Sequence, residues 1–148
     1  MNDAARENSV CALLVGEYTK DRFLVREIFR GCGWLLFEAP DRGLALECLH
    51  LNPVHVVLME TDVPSWSWKR ALDDLRGLAQ PPQLIVASRH ADDYLWAEAL
   101  NMGAYDVLAQ PIDRDEVERV IASARRHFVG TAIQTARQAG RAALAGAA

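Results

Sequence analysis

Along the chain, short unbroken apolar runs give way repeatedly to apolar stripes spaced three and four residues apart. That change of period is the pattern of strands alternating with helices. The run at 10–15 (VCALLV) is continuously apolar, as in strands buried on both faces of a parallel sheet. A polar break at 16–20 follows. Leu24, Ile28 and Cys32 then line one stripe of a helix predicted over 21–32, with Gly33 placed to end it. A second strand is predicted over 34–37. Pro40 and Asp41 open a second helix that buries Leu44, Ala45, Cys48 and Leu49 and ends near Asn52 and Pro53. A third strand covers 54–59 (VHVVLM), and a Pro64-containing turn leads to a third helix over 68–78, closed off by Pro81 and Pro82. The fourth strand is 84–88. Asp92 and Asp93 start the fourth helix, where carboxylates favour the positive helix end, and Gly103 stops it. The fifth strand is 105–109. Pro111 breaks it, and Asp113 caps a last helix through Phe128, with Val117, Ile121, Ala124 and Phe128 on its core stripe.

Five strand–helix units with short connections imply right-handed crossovers and a parallel sheet covered on both faces. The expected class is α/β, three-layered and doubly wound. The units occupy 10–128. An N-terminal extension precedes them at 1–9, and an alanine-rich basic tail, mobile or helical, follows at 129–148. Ligands of such sheets bind at the carboxyl ends of the strands. The residues there are Gly16 and Glu17, Glu60 and Asp62, Ser88 and Arg89, then Gln110 and Pro111.

Composition narrows the options. Net charge is −4, yet residues from Arg125 onward hold four arginines and no acid, so the remainder carries −8. An acidic body argues against nucleic-acid binding. No apolar run spans a bilayer and the N-terminus does not read as a signal peptide, so a cytoplasmic location is expected, with no membrane partner. Cys11, Cys32 and Cys48 have no metal or redox spacing and read as reduced thiols. Neither a glycine-rich phosphate loop nor a nucleophile elbow is present, and no enzymatic activity is expected.

The order of three segments resembles the receiver domain of bacterial response regulators. LMETDVP at 58–64 is similar to that family's third strand and phosphorylation loop. IVAS at 85–88 is similar to its fourth strand, and GAYDVLAQP at 103–111 to its fifth strand with the X-Pro step. The resemblance covers 10–128 and implies a flavodoxin-like sheet of order 2-1-3-4-5. It also implies a role in two-component phosphorelay signalling, with a histidine kinase or downstream effector as partner.

The chemistry departs from the family where it matters most. Receivers carry two acids after the first strand; here there are Gly16 and Glu17. Their phosphoacceptor is an aspartate, and Glu60 stands in its place. Gln110 replaces the lysine, Ser88 keeps the hydroxyl, and Val107 takes the aromatic switch position. Phosphoryl transfer relies on positioning and charge neutralisation, and Mg²⁺ requires near-octahedral oxygen ligands. Glu60 extends the carboxylate by roughly 1.5 Å, Gly16 removes a ligand, and Gln110 brings no positive charge. A weak or absent Mg²⁺ site is therefore expected, in a stand-alone pseudo-receiver that acts by protein contact, since the segment after Phe128 is too short for an output domain. Glu60 is expected to act as a permanent negative group that accepts a hydrogen bond from Ser88, or to be a tolerated remnant. Two alternatives keep the fold: a phosphoacceptor receiver using Asp62 or Glu60 with a relaxed metal site, and a small-molecule-binding flavodoxin-like domain.

Four tryptophans add one more signal. Trp34 is expected in the core, and Trp66 and Trp68 either lid the rim or pack on the third helix. Trp96 lies about 100° from the Leu95–Ala99–Met102 stripe, beside Leu100. With Val107 these mark an expected interface, the helix 4–strand 5–helix 5 face, which the resemblance makes a candidate homodimer surface.

Overall fold

The computed structural model describes residues 9–17 and 21–146, including all their side chains except those of 129–135 and 145–146. Most of the expected N-terminal extension, and residues 18–20 of the polar break, lie outside the described residues.

Among the described residues ten elements alternate: β1 (Cys11–Val15), α1 (Arg22–Cys32), β2 (Leu35–Ala39), α2 (Arg42–Leu51), β3 (Val56–Glu60), α3 (Trp68–Arg76), β4 (Gln83–Ser88), α4 (Asp93–Met102), β5 (Asp106–Ala109) and α5 (Arg114–Gly146). The strands form one parallel sheet in the order β2-β1-β3-β4-β5. Side chains alternate between faces along each strand, which divides the core in two. Leu13, Val15, Val57, Met59 and Val86 pack against α2, α3 and α4 through Ala45, Leu49, Ala71, Leu72, Leu75 and Ala99. Ala12, Leu14, Val56, Leu58 and Ile85 pack against α1 and α5 through Val25, Ile28, Phe29, Val117, Ile121 and Ala124. The unbroken apolar runs of β1, β3 and β4 thus serve two cores at once.

Helix starts follow local chemistry. Asp41, Ser67 and Asp92 each accept a hydrogen bond from the backbone three residues on, at Leu44, Arg70 and Leu95. Three expectations need correction. Leu44 is 50% exposed, because the neighbouring Ala45 takes the core-facing position. The second strand lies slightly further on, at Leu35–Ala39, and as an edge strand it fully buries only Ala39. Phe128 ends no element: α5 runs on to Gly146, with residues 136–144 exposed. Alanine is the best helix former, and the extension is rich in it. No helix among the described residues is long and apolar enough to cross a membrane.

Candidate functional site

The rim at the carboxyl ends of β1, β3, β4 and β5 carries the polar side chains the sequence pointed to. Val15 pairs with Met59 in the sheet, so Gly16 and Glu60 are the next residues on adjacent strands. Gly16 has φ of 125° and donates its N–H to Ala39 O at 3.1 Å. Glu60 lies directly over it. A Cβ built on Gly16 would stand 2.6 Å from Glu60 Oε1 and 3.2 Å from both Cδ and Cγ. Any side chain at position 16 would have to displace this carboxylate.

Glu60 is held from the other side by Gln110. The amide Nε2 donates to Glu60 Oε2 at 3.4 Å and to Asp21 Oδ2 at 3.2 Å. An amide has two N–H donors, and each reaches one carboxylate. Asp21 accepts a second bond, from Ile112 N to Oδ1 at 3.4 Å, and is only 7% exposed. Although it stands at the N-cap of α1, its backbone is helical (φ −95°, ψ −16°) and its side chain caps nothing. The carboxylate instead joins α1 to the β5–α5 connection. Asp21 is the site residue that sequence reasoning missed. An acid opening a helix reads as a cap, and nothing in the pattern separated it from Asp41 or Asp92.

The acid sharing an amide with Glu60 is therefore Asp21, and not Glu17, which is exposed along with Asp62 and Arg89. Ser88 is 3% exposed. Its Oγ accepts from Thr61 Oγ1 at 3.2 Å and from His90 N at 3.0 Å. Glu60 reaches over Gly16 and toward Gln110, which leaves Thr61, one residue on, to meet the Ser88 hydroxyl. Position 16 has no carboxylate, Asp21 and Glu60 converge on an amide, and no three acidic, histidine or cysteine groups gather as metal ligands among the described residues.

A second feature lies on the α4–β5–α5 face. Trp96 is 50% exposed and donates from Nε1 to Asp106 Oδ1 at 3.3 Å. A cavity of about 380 Å³ beside it is lined by Ala91, Asp92, Asp93, Trp96, Val107, Ala109 and Glu116. Val107 is buried at its floor, and Leu100 is half-buried outside it.

Other candidates resolve into structure. Trp66, just before α3, and Trp68, its first residue, are buried in the core and form no lid. Trp66 Nε1 donates to Asp74 Oδ2 at 2.9 Å, and Arg42 Nε reaches the same oxygen at 3.0 Å. The Arg42 guanidinium, with Trp66 assisting, holds the Asp74 carboxyl below the usual range. Trp34 is half-buried, edge-on to Phe29 at 5.4 Å. Burial pushes the Cys11 thiol up to about 11, which suits an inert core residue.

No protein-family model matches the chain. A curated relative, sporulation initiation phosphotransferase F of Bacillus subtilis, is 22% identical over 109 residues, covering 74% of this chain and 88% of the relative. The solved receiver domain of a Francisella response regulator superposes with a TM-score of 0.70 at 21% identity, covering 80% of this chain and 98% of that one. The signal receiver domain of an HD domain-containing protein from Pseudomonas fluorescens Pf-5 gives a TM-score of 0.72 at 22% identity, with 82% and 98% covered. Sheet order, element sequence and these likenesses agree that the chain has the fold of the response-regulator receiver domains.

Proposed function

We propose that this chain is an atypical receiver domain of two-component signalling that acts through protein–protein contact, without phosphorylation at Glu60 and without enzymatic activity of its own. The observation carrying this reading is the seating of Glu60 over Gly16. The carboxylate fills the space that a second acid after β1 would need, and Gln110 holds it with a neutral amide. A nucleophile must sit within about 1 Å of its productive place, and a developing phosphoryl charge needs cations around it. The seating of Glu60 over Gly16 does not meet the first condition, which supports weak or absent Mg²⁺ binding. Glu60 then supplies a fixed negative charge. It biases the conformational balance only as far as it interacts differently with the two states.

Output is assigned to the α4–β5–α5 face, where a half-exposed tryptophan offers the anchor that interfaces favour. The partner is a histidine kinase, a downstream effector or a second copy of the chain. Incubation with an acyl-phosphate donor and Mg²⁺, followed by intact mass, is expected to leave the protein unmodified; a stoichiometric phosphoryl adduct overturns the reading. The same experiment addresses a second reading, phosphotransfer through Asp62 or Glu60, which the phosphotransferase name of the Bacillus relative favours. Glu60→Gln that leaves partner affinity and conformation unchanged removes the fixed-charge role.

A further inference from the structure

The end of the sheet away from the rim carries a cavity of about 350 Å³, within the roughly 300–1,000 Å³ that small-molecule sites occupy. It lies where α2 gives way to β3 and where the α3–β4 connection returns to the sheet. Its walls include the buried Leu49, Val54 and Pro82 and the half-buried Leu78 and Phe128. Among the described residues lining it there is no acid, lysine or arginine.

Hydrogen-bond donors along the inner wall are mostly spent within the fold. Asn52 directs both its backbone N–H and its side-chain amide to Cys48 O, at 3.0 and 3.1 Å. Val54 N–H goes to Asn52 O, His55 N–H to Cys11 O and Leu78 N–H to Leu75 O. Prolines 53 and 82 have no N–H to give. The His55 ring is the exception. Its Nδ1 accepts the Cys11 N–H at 3.0 Å, which places the ring proton on Nε2. Among the described residues that proton has no acceptor.

The surroundings of this donor set the kind of occupant. Phe128 stands edge-on to the His55 ring, with centroids 5.1 Å apart, so an aromatic wall adjoins the N–H. Burial, with Arg125 close by, lowers the His55 pKa to about 4, which keeps the ring neutral near pH 7. The positive charge of Arg125 is met by no carboxylate in the cavity lining. A negative end beside His55 and a flat apolar body then suit the two halves of the space.

We propose that this cavity binds a small aromatic carboxylate, whose acid group accepts the His55 Nε2–H and whose ring packs against Leu78 and Phe128. The site shares no residue with the Glu60 rim or the α4–β5–α5 face, so it stands whether or not Glu60 is phosphorylated.

Titration of the ¹⁵N-labelled full chain with benzoate, followed by amide NMR, tests it. Saturable shifts are expected at Val54, His55, Leu78 and Phe128 in millimolar benzoate, with none at Gly16 or Glu60. Acetate has the acid without the ring, and benzamide has the ring without the charge; each is expected to bind at least roughly tenfold more weakly. Ala79→Trp fills the cavity from an exposed position outside the core and is expected to abolish the shifts. His55→Phe keeps a ring beside Phe128 but removes the donor, and should weaken benzoate at least roughly tenfold. Circular dichroism checks that both variants are folded, and Ala79→Trp decides the matter if His55→Phe is not. A chain without saturable shifts overturns the proposal. So do shifts centred on the rim, acetate binding as well as benzoate, or Ala79→Trp binding benzoate as the wild type does.

Discussion

Glu60 and Gly16 are sterically complementary: the glutamate carboxylate occupies the space that a side chain on residue 16 would fill, 2.6 Å from the missing Cβ. The two departures from the receiver pattern therefore form one arrangement. The longer acid on β3 lies where a side chain after β1 would begin. Gly16→Ala is expected to destabilise the domain by about 2 kcal/mol, from the positive φ and the clash together. Glu60→Asp in the same chain should recover the steric share only. Urea denaturation of the four members of this cycle measures the coupling, and strict additivity would show that the two residues are independent.

Asp21 is expected to matter through Gln110 and Ile112, not through α1. Asp21→Ala leaves the Gln110 amide with one carboxylate fewer and strips Ile112 N of its acceptor, which should cost about 1–3 kcal/mol. Hydrogen exchange tells the two roles apart. Protection should fall at Ile112 while the first turn of α1 is unchanged. Loss confined to α1 would instead mark an ordinary cap.

Much of the fold was legible because the relevant forces are local. The apolar runs of β1, β3 and β4 and the caps at Asp41 and Asp92 depend on neighbours in sequence. Leu44 was misplaced because it and Ala45 are adjacent on a helix and hydrophobicity alone does not choose between them. The site was legible residue by residue but not as a network. Gln110 meets Asp21 across 89 positions, and Thr61 meets Ser88 across 27, which no periodicity encodes. Trp66 was left open between lid and packing, and the fold buries its ring while its indole N–H meets the partly exposed Asp74.

Acid should weaken the domain first through His55. Its Nδ1 accepts the Cys11 N–H at 3.0 Å, an arrangement that needs the neutral ring. Burial, with the nearby Arg125, lowers its pKa from 6.5 to about 4. Between these values the unfolded chain takes up a proton that the folded chain refuses, so stability present above pH 6.5 is lost as pH falls toward 4. After allowance for solvent screening the loss should be on the order of 1–2 kcal/mol. Asp74, held low by Arg42, adds its own loss only below its ordinary value of 3.8. Urea midpoints measured from pH 7 to pH 4 should therefore slope in the wild type and flatten in His55→Gln; equal slopes would assign the effect elsewhere.

On the proposed function, restoring the ionic groups of a receiver should give the chain a receiver's phosphoryl chemistry, and the seating of Glu60 over Gly16 suggests the order in which to restore them. Gln110→Lys alone would set an ammonium between Asp21 and Glu60, where the amide now bridges them, and should stabilise the rim through two charge-assisted bonds. It should still give no phosphoryl adduct, because Glu60 continues to fill the space over Gly16. Gly16→Asp alone should disrupt that space. Combined with Glu60→Asp, which withdraws the carboxylate by one methylene, it removes the clash and leaves only the backbone strain of a side chain at positive φ. The triple variant is expected to take up a phosphoryl group from an acyl-phosphate donor only when Mg²⁺ is present, read as a single adduct by intact mass. Equal adduct formation by Gln110→Lys alone, with none in the wild type, would show that charge, and not the space over Gly16, limits phosphorylation.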